Sequence, residues 1–258
     1  MGDERGMNVE EEERRAAVLL APQLSQHLEL VNRVCNLIWR VNFFFNDTDL
    51  AAMSLPLKIR LCLLARLGDD IRTVGHLCQI GYGIQACVIA ASVFEIAHTV
   101  VFVGDDEKRA QEWNDHDNPT KSFRPISELV SSNFEVLGSP DAEATWRNEY
   151  EIYVQLCWMK HANPLLQGFR DPHLWKIHGT LNHAPDTSED GVRRSWRGLQ
   201  DAGRLGLLAI SAFLKIDLEE EQIRNIAPEM DALHKLERGL NQQAIDRWGT
   251  EKPFEGKW

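Results

Sequence analysis

The sequence predicts an all-α protein, a multi-helix bundle of roughly eight helices, and three observations carry that expectation. Apolar residues recur at i, i+4 and i+7 over long stretches. The breaks between those stretches carry helix-start chemistry, such as Ser54 ahead of Pro56 and Ser139 ahead of Pro140. Strand–helix alternation of the kind that builds a parallel sheet is missing.

The first elements follow from these cues. A short acidic helix is expected over Asn8–Leu20, then a second from Pro22 to Phe44. The second places Leu24, Leu28, Val31, Cys35, Ile38 and Trp39 on one buried face, and Pro22 suits its first turn, where an N–H would have no partner. After Asn46-Asp47-Thr48-Asp49, Ser54 caps a third helix running to about Gln79. Gly81-Tyr82-Gly83 turns the chain into the apolar helix Ile84–Val103, and the charged stretch Asp105–Asp117 is a helix or helix end. Helices over Pro125–Leu137 and from Ser139-Pro140-Asp141 to Pro164 come next. An irregular stretch fills most of Gly168–Gly191, and a long helix covers Ser188–Lys215. Asp217 with Glu220 reads as a capping box for a final pair of helices broken at Pro228.

Composition narrows the class. The 258 residues hold 39 acids against 28 Lys and Arg, a net charge of −11, which argues against a general nucleic-acid or membrane-surface binder. That length supports one helical domain over 1–258, with loosely held tails at 1–8 and 250–258. Cys35, Cys62, Cys78, Cys87 and Cys157 are odd in number and widely spaced, the pattern of free thiols in a reducing cytoplasm. The stretch Met1–Arg15 is too acidic and polar for a signal peptide. Ile84–Val103 is long enough to span a bilayer, but Glu95 and His98 near its middle mark it as a core helix. The expectation is a cytoplasmic protein without a cofactor.

Glu95 is the strongest anomaly, a carboxylate in a helix where almost every other position is apolar. A buried carboxylate must be paired, hydrogen-bonded or protonated, and His98 lies one turn further on the same face. Glu95, His98 and His161 are therefore the candidate catalytic residues, with Glu95 and His161 expected to face each other across the packing of two helices. The plainer reading is a polar lock, in which Glu95 holds a His or Arg of a neighbouring helix. Glu95-x-x-His98 and Asp231-x-x-His234 also suggest a metal-carboxylate bundle, completed by Glu29, Glu149 or Glu151. With 39 acids and nine histidines in the chain, about one or two such pairs arise by chance. Gly81-Tyr82-Gly83-Ile84-Gln85-Ala86 matches a dinucleotide-binding turn, with Thr99–Val103 as its second strand, but the flanking periodicity is helical. Residues 160–204 form the one locally basic region, with seven Lys and Arg against five acids. They include His161, His173, His178 and His183, and could offer an anion or nucleic-acid site with Trp196 as a stacking surface.

Two stretches together carry a resemblance: Gly81–Ala86 running through Val93-Phe94-Glu95 to Trp113, and Tyr153-Val154-Gln155-Leu156-Cys157-Trp158-Met159-Lys160-His161. Over roughly residues 80–165 the chain resembles an all-helical family of bacterial proteins without a settled activity, distantly similar to HEPN-type helical domains. In that family an Arg precedes a Glu by four residues, and a later helix ends in Tyr-x-x-Leu-Ser/Cys followed by a His. The resemblance places the Glu at Glu95 and the Tyr and His at Tyr153 and His161. Ala91 stands where the Arg would be, which implies a lost partner or a substitute cation such as His98. The HEPN likeness further implies an Arg and a later His with four to six residues between them, a spacing that Arg109 and His116 meet. The leading expectation is an interaction or regulatory protein with an unknown protein partner or a second copy. The alternatives are an HEPN-like RNA-cleaving enzyme and the metal-carboxylate bundle.

Overall fold

A computed structural model describes residues 8–118, 121–136, 142–160 and 185–249, and within them eight helices and no strand. The helices are α1 Val9–Phe43, α2 Leu55–Gln79, α3 Gly83–Val103, α4 Glu107–Asn114, α5 Ile126–Val136, α6 Ala142–Lys160, α7 Glu189–Ile216 and α8 Glu220–Trp248. The expected start at Ser139–Asp141, the stop at Pro164, the irregular stretch up to 184 and the tails 1–7 and 250–258 lie outside the described residues.

Both prolines expected to separate helices lie inside one. Asn8 caps α1, its side chain accepting from the Glu10 N–H, with Glu10, Glu11 and Glu12 in the positive first turn. The helix then continues through Pro22. Proline removes the bond to the carbonyl four residues back, here that of Val18. Val18 is 75% exposed and Leu19 57%, so water reaches that side of the helix. The opposite side carries an unbroken buried stripe, Ala16, Leu20, Leu24, Leu30, Val34 and Val41, whose burial holds the two halves as one helix. Pro228 is carried in the same way, with Ile226, Met230 and Leu233 buried around it.

The start of α8 also differs from expectation. Glu219 is the cap, in a capping box with Gln222. Asp217 is drawn instead to the buried Arg60 of α2, which donates Nη1 to Oδ2 (2.6 Å) and Nη2 to Oδ1 (2.7 Å). That fork also stacks over Phe213, 5.0 Å from the ring centre.

Four helices form the core. α1, α2, α3 and α7 pack against one another, α3 lying against α2 and α7 and α1 against the same two. The close approach of α7 depends on glycine. A Cβ on Gly206 would lie 2.4 Å from Val34 Cγ1 and 2.9 Å from Ile71 Cδ1, so no larger residue fits between α1 and α2 without displacing them. On the outside, α8 packs on α1 and α7, while α5 and α6 pack on each other and on α3. α3 is long and apolar enough to cross a membrane, and here most of it is covered by these neighbours.

The Gly81–Gly83 turn joins two helices and binds the segment before α7. Gly81 has φ +88° and its carbonyl accepts from the Asp186 N–H at 2.8 Å. A Cβ there would lie 2.6 Å from Pro185 Cβ, and one on Gly83 would lie 2.9 Å from Ser195 Oγ. Packing thus accounts for both glycines, and Thr99–Val103 is the last turn of α3 rather than a strand.

Candidate functional site

His98 is buried where α3 meets α5, α6 and α7. Asn133 of α5 lies with Nδ2 3.0 Å from the His98 carbonyl and 3.2 Å from its Nδ1. Each amide proton therefore has an acceptor, and Nδ1 carries none itself. The ring proton is on Nε2, which donates to Glu149 Oε1 of α6 at 3.1 Å. Arg204 of α7 closes the group, its Nη1 donating to both Glu149 oxygens at 2.9 Å. Burial pushes the His98 imidazole below its ordinary value, with the Arg204 charge adding to that and Glu149 opposing it. Burial also pushes the Glu149 carboxyl up, but the Arg204 charge and the His98 hydrogen bond outweigh it, leaving it at about 2. A neutral imidazole between an amide and a carboxylate–guanidinium pair is the result.

Glu95 lies on the same helix but takes different partners. Its Oε1 accepts from Tyr153 Oη at 2.8 Å and from Lys160 Nζ at 3.1 Å, at a position 31% exposed. The carboxylate expected to be fully buried is thus at the edge of the α3–α6 contact, half in water. The ring of Phe94 separates the two groups, 4.4 Å from His98 and 5.1 Å from Tyr153. Burial raises the Tyr153 hydroxyl far above its ordinary range, assisted by Cys157 and Glu95, and burial likewise raises the Cys157 thiol. Neither is a ready nucleophile at neutral pH.

Of the three candidate residues, Glu95 and His98 therefore share α3 without sharing partners, and His161 lies outside the described residues. The lock exists, but its acid is Glu149. That residue falls on the stripe Trp146, Tyr150, Tyr153 of α6, three residues after the Trp, and this placement was the signal available for it. Among the described residues no three His, Cys, Asp or Glu converge on a point that could hold a metal ion. α3 and α8 do not touch, so Asp231 and His234 do not complete a set with Glu95 and His98. Arg109 donates Nη1 to the Phe102 carbonyl at 3.0 Å and stacks over its ring, while His116 binds the Lys121 carbonyl through Nε2.

The basic stretch contributes Arg193, Trp196 and Arg197 to a groove of about 360 Å³ with α6 and α8. Its aromatic is not an open stacking surface. Trp196 is 8% exposed, donates its indole N–H to the Gln23 carbonyl at 2.9 Å, lies 4.3 Å from His27 and meets Trp248 edge-on. It joins α1, α7 and α8. The cations are engaged as well, Arg194 with Asp186 and Arg197 with Asp201. His173, His178 and His183 lie outside the described residues.

A cluster of exposed aromatic residues lies at the C-terminal end of α1. Trp39, expected on the buried face, is 69% exposed and stacks on Phe43, itself 57% exposed, at 5.7 Å. Leu50, 69% exposed, adds to them from the connection to α2. Beside this ridge lies a hollow of about 590 Å³ between α1 and α2, walled by Cys35, Phe45, Met53 and Leu61. Trp39 borders it and a smaller hollow toward α8. No protein-family model, curated protein or solved structure matches this chain.

Proposed function

We propose that this chain is a docking protein of a regulatory kind, and that it engages a protein partner through the Trp39 face. The observation that carries this is the stacked pair Trp39–Phe43, held more than half in water beside an open hollow. Leaving a large aromatic exposed forgoes about 2 kcal/mol of burial. Clustered exposure of this kind marks an interaction surface, and Trp with a neighbouring Arg, here Arg40, is the residue chemistry of interface anchors. The lock around His98 and Glu149 serves this role by fixing the outer helices on a rigid core. All five cysteines are free thiols, which supports a reducing compartment.

A photo-crosslinking amino acid in place of Phe43 tests the proposal in cells that make the full chain. An adduct is expected from that position and not from Val18, a still more exposed apolar site on the same helix. Absence of any adduct at position 43, or equal labelling from both positions, overturns it.

A further inference from the structure

We infer that the occupant of the Trp39 face is a second copy of this chain, the two related by a twofold axis with each Trp39 seated in the other's hollow. The inference rests on the docking reading and names its partner.

Shape is the first argument. An isologous interface must be self-complementary, so one patch has to carry both a projection and the recess that receives it. Here the ridge Trp39–Phe43 and the hollow walled by Phe45, Met53 and Leu61 adjoin on one face. The recess holds about 590 Å³, ample for an indole. Because Trp39 forms one edge of the recess, two hollows brought face to face lie side by side along the axis, and each indole has only to step across it.

Charge is the second. The chain carries a net charge of −11, which opposes self-association over most of its surface. The rim of this face departs from that average, with Arg40 and Arg72 against Asp47, Asp49 and Asp69. A nearly balanced rim lets like surfaces meet, with arginines and aspartates both present to pair across the axis. A strongly basic partner would call for an acidic rim, which this is not.

Area is the third. The exposed parts of Trp39, Phe43 and Leu50 amount to on the order of 400 Å², about half of what each partner contributes to a standard interface. The walls of the hollow add less than these three side chains, so the interface is small and the dimer weak and concentration-dependent.

The test is the mass of the full chain in solution by light scattering after gel filtration, from about 1 to 100 μM. The expected result is a shift from one chain mass, 29.5 kDa, toward twice that value. Trp39→Asp should weaken the association at least tenfold, and Val18→Asp should leave it unchanged. Should Trp39→Asp lose its helical circular dichroism, Leu50→Asp makes the same test from outside the helices. A single-chain mass throughout the range, or dimers indifferent to both Trp39→Asp and Leu50→Asp, overturns the inference. The Phe43 crosslink separates this failure from that of the docking reading. An adduct of twice the chain mass supports the second copy. An adduct of another defined mass leaves docking standing and removes the second copy, and no adduct removes both.

Discussion

His98 donates its single ring proton to Glu149 across 3.1 Å, and that bond joins two helices through groups almost wholly removed from water. The carboxylate is held in turn by Arg204, so the imidazole, the acid and the guanidinium depend on one another. Removing one member of such a group costs more than the pair contributes, because it leaves a buried charge or donor without its partner.

Glu149→Ala should therefore destabilise the fold by about 3 kcal/mol, since Arg204 and the His98 Nε2–H both lose their acceptor. Glu95→Ala, at a position 31% exposed, should cost well under half as much. Denaturant unfolding of the two variants side by side measures the difference, and equal losses would contradict the division of roles between the two acids.

Acid should weaken the protein in two ranges. Burial lowers the His27 imidazole to about 4, against an ordinary value of 6.5. Below 6.5 the unfolded chain takes up this proton and the folded one does not, so stability falls as pH drops from 6.5 toward 4, by about 3 kcal/mol in all. The Glu149 carboxyl, held at about 2, contributes stability that is complete above its unfolded value and is lost as pH falls from there toward 2. His27→Phe, which keeps a ring against Trp196, should make the first range shallower in a series of unfolding curves, leaving the part that buried His98 adds there, and leave the second in place.

Two glycines in long helices should respond in opposite directions to the same change. Gly206→Ala forces a methyl to within 2.4 Å of Val34 and should cost about 1–3 kcal/mol. Gly239 of α8 has nothing within 4 Å of a Cβ, so Gly239→Ala should raise stability by about 0.5–1 kcal/mol through helix propensity. Thermal unfolding of both variants reads the signs directly.

Asp217→Ala should destabilise by about 3 kcal/mol or more, because it strands the Arg60 guanidinium, 1% exposed, in the core. Replacing both, Arg60→Met with Asp217→Leu, should recover most of that loss. A double-mutant cycle gives the coupling, and additive losses would show that the fork carries none.

The fold class was legible because it depends on local signals. Ser54 announces its helix by capping chemistry, and the structure has that cap, accepting from the Leu57 N–H. Pro22 and Pro228 misled because the decision there is tertiary: a buried stripe on either side outweighs one lost hydrogen bond, and no window of sequence shows what the stripe packs on. Asp217 misled for the same reason, since its partner Arg60 is 157 positions away. At the site, the anomaly of Glu95 drew attention to the helix that does carry the polar group, but the burial belongs to His98. Trp39 shows the converse error. Helical spacing set it next to Ile38 on an apolar face, and the 100° between successive residues was enough to turn it to solvent.

The dependence of α5 and α6 on α3 has a mechanical consequence. Among the described residues their backbones approach each other and α3 closely, while α7 reaches α6 through side chains such as Arg204. α5 and α6 therefore form the natural unit of partial opening, latched at Glu149. When the latch gives way in acid, the surface laid open includes Phe94 of the apolar α3, which packs on Tyr153 of α6, so the first step of acid damage should be clumping of nearly intact molecules rather than unravelling of single ones.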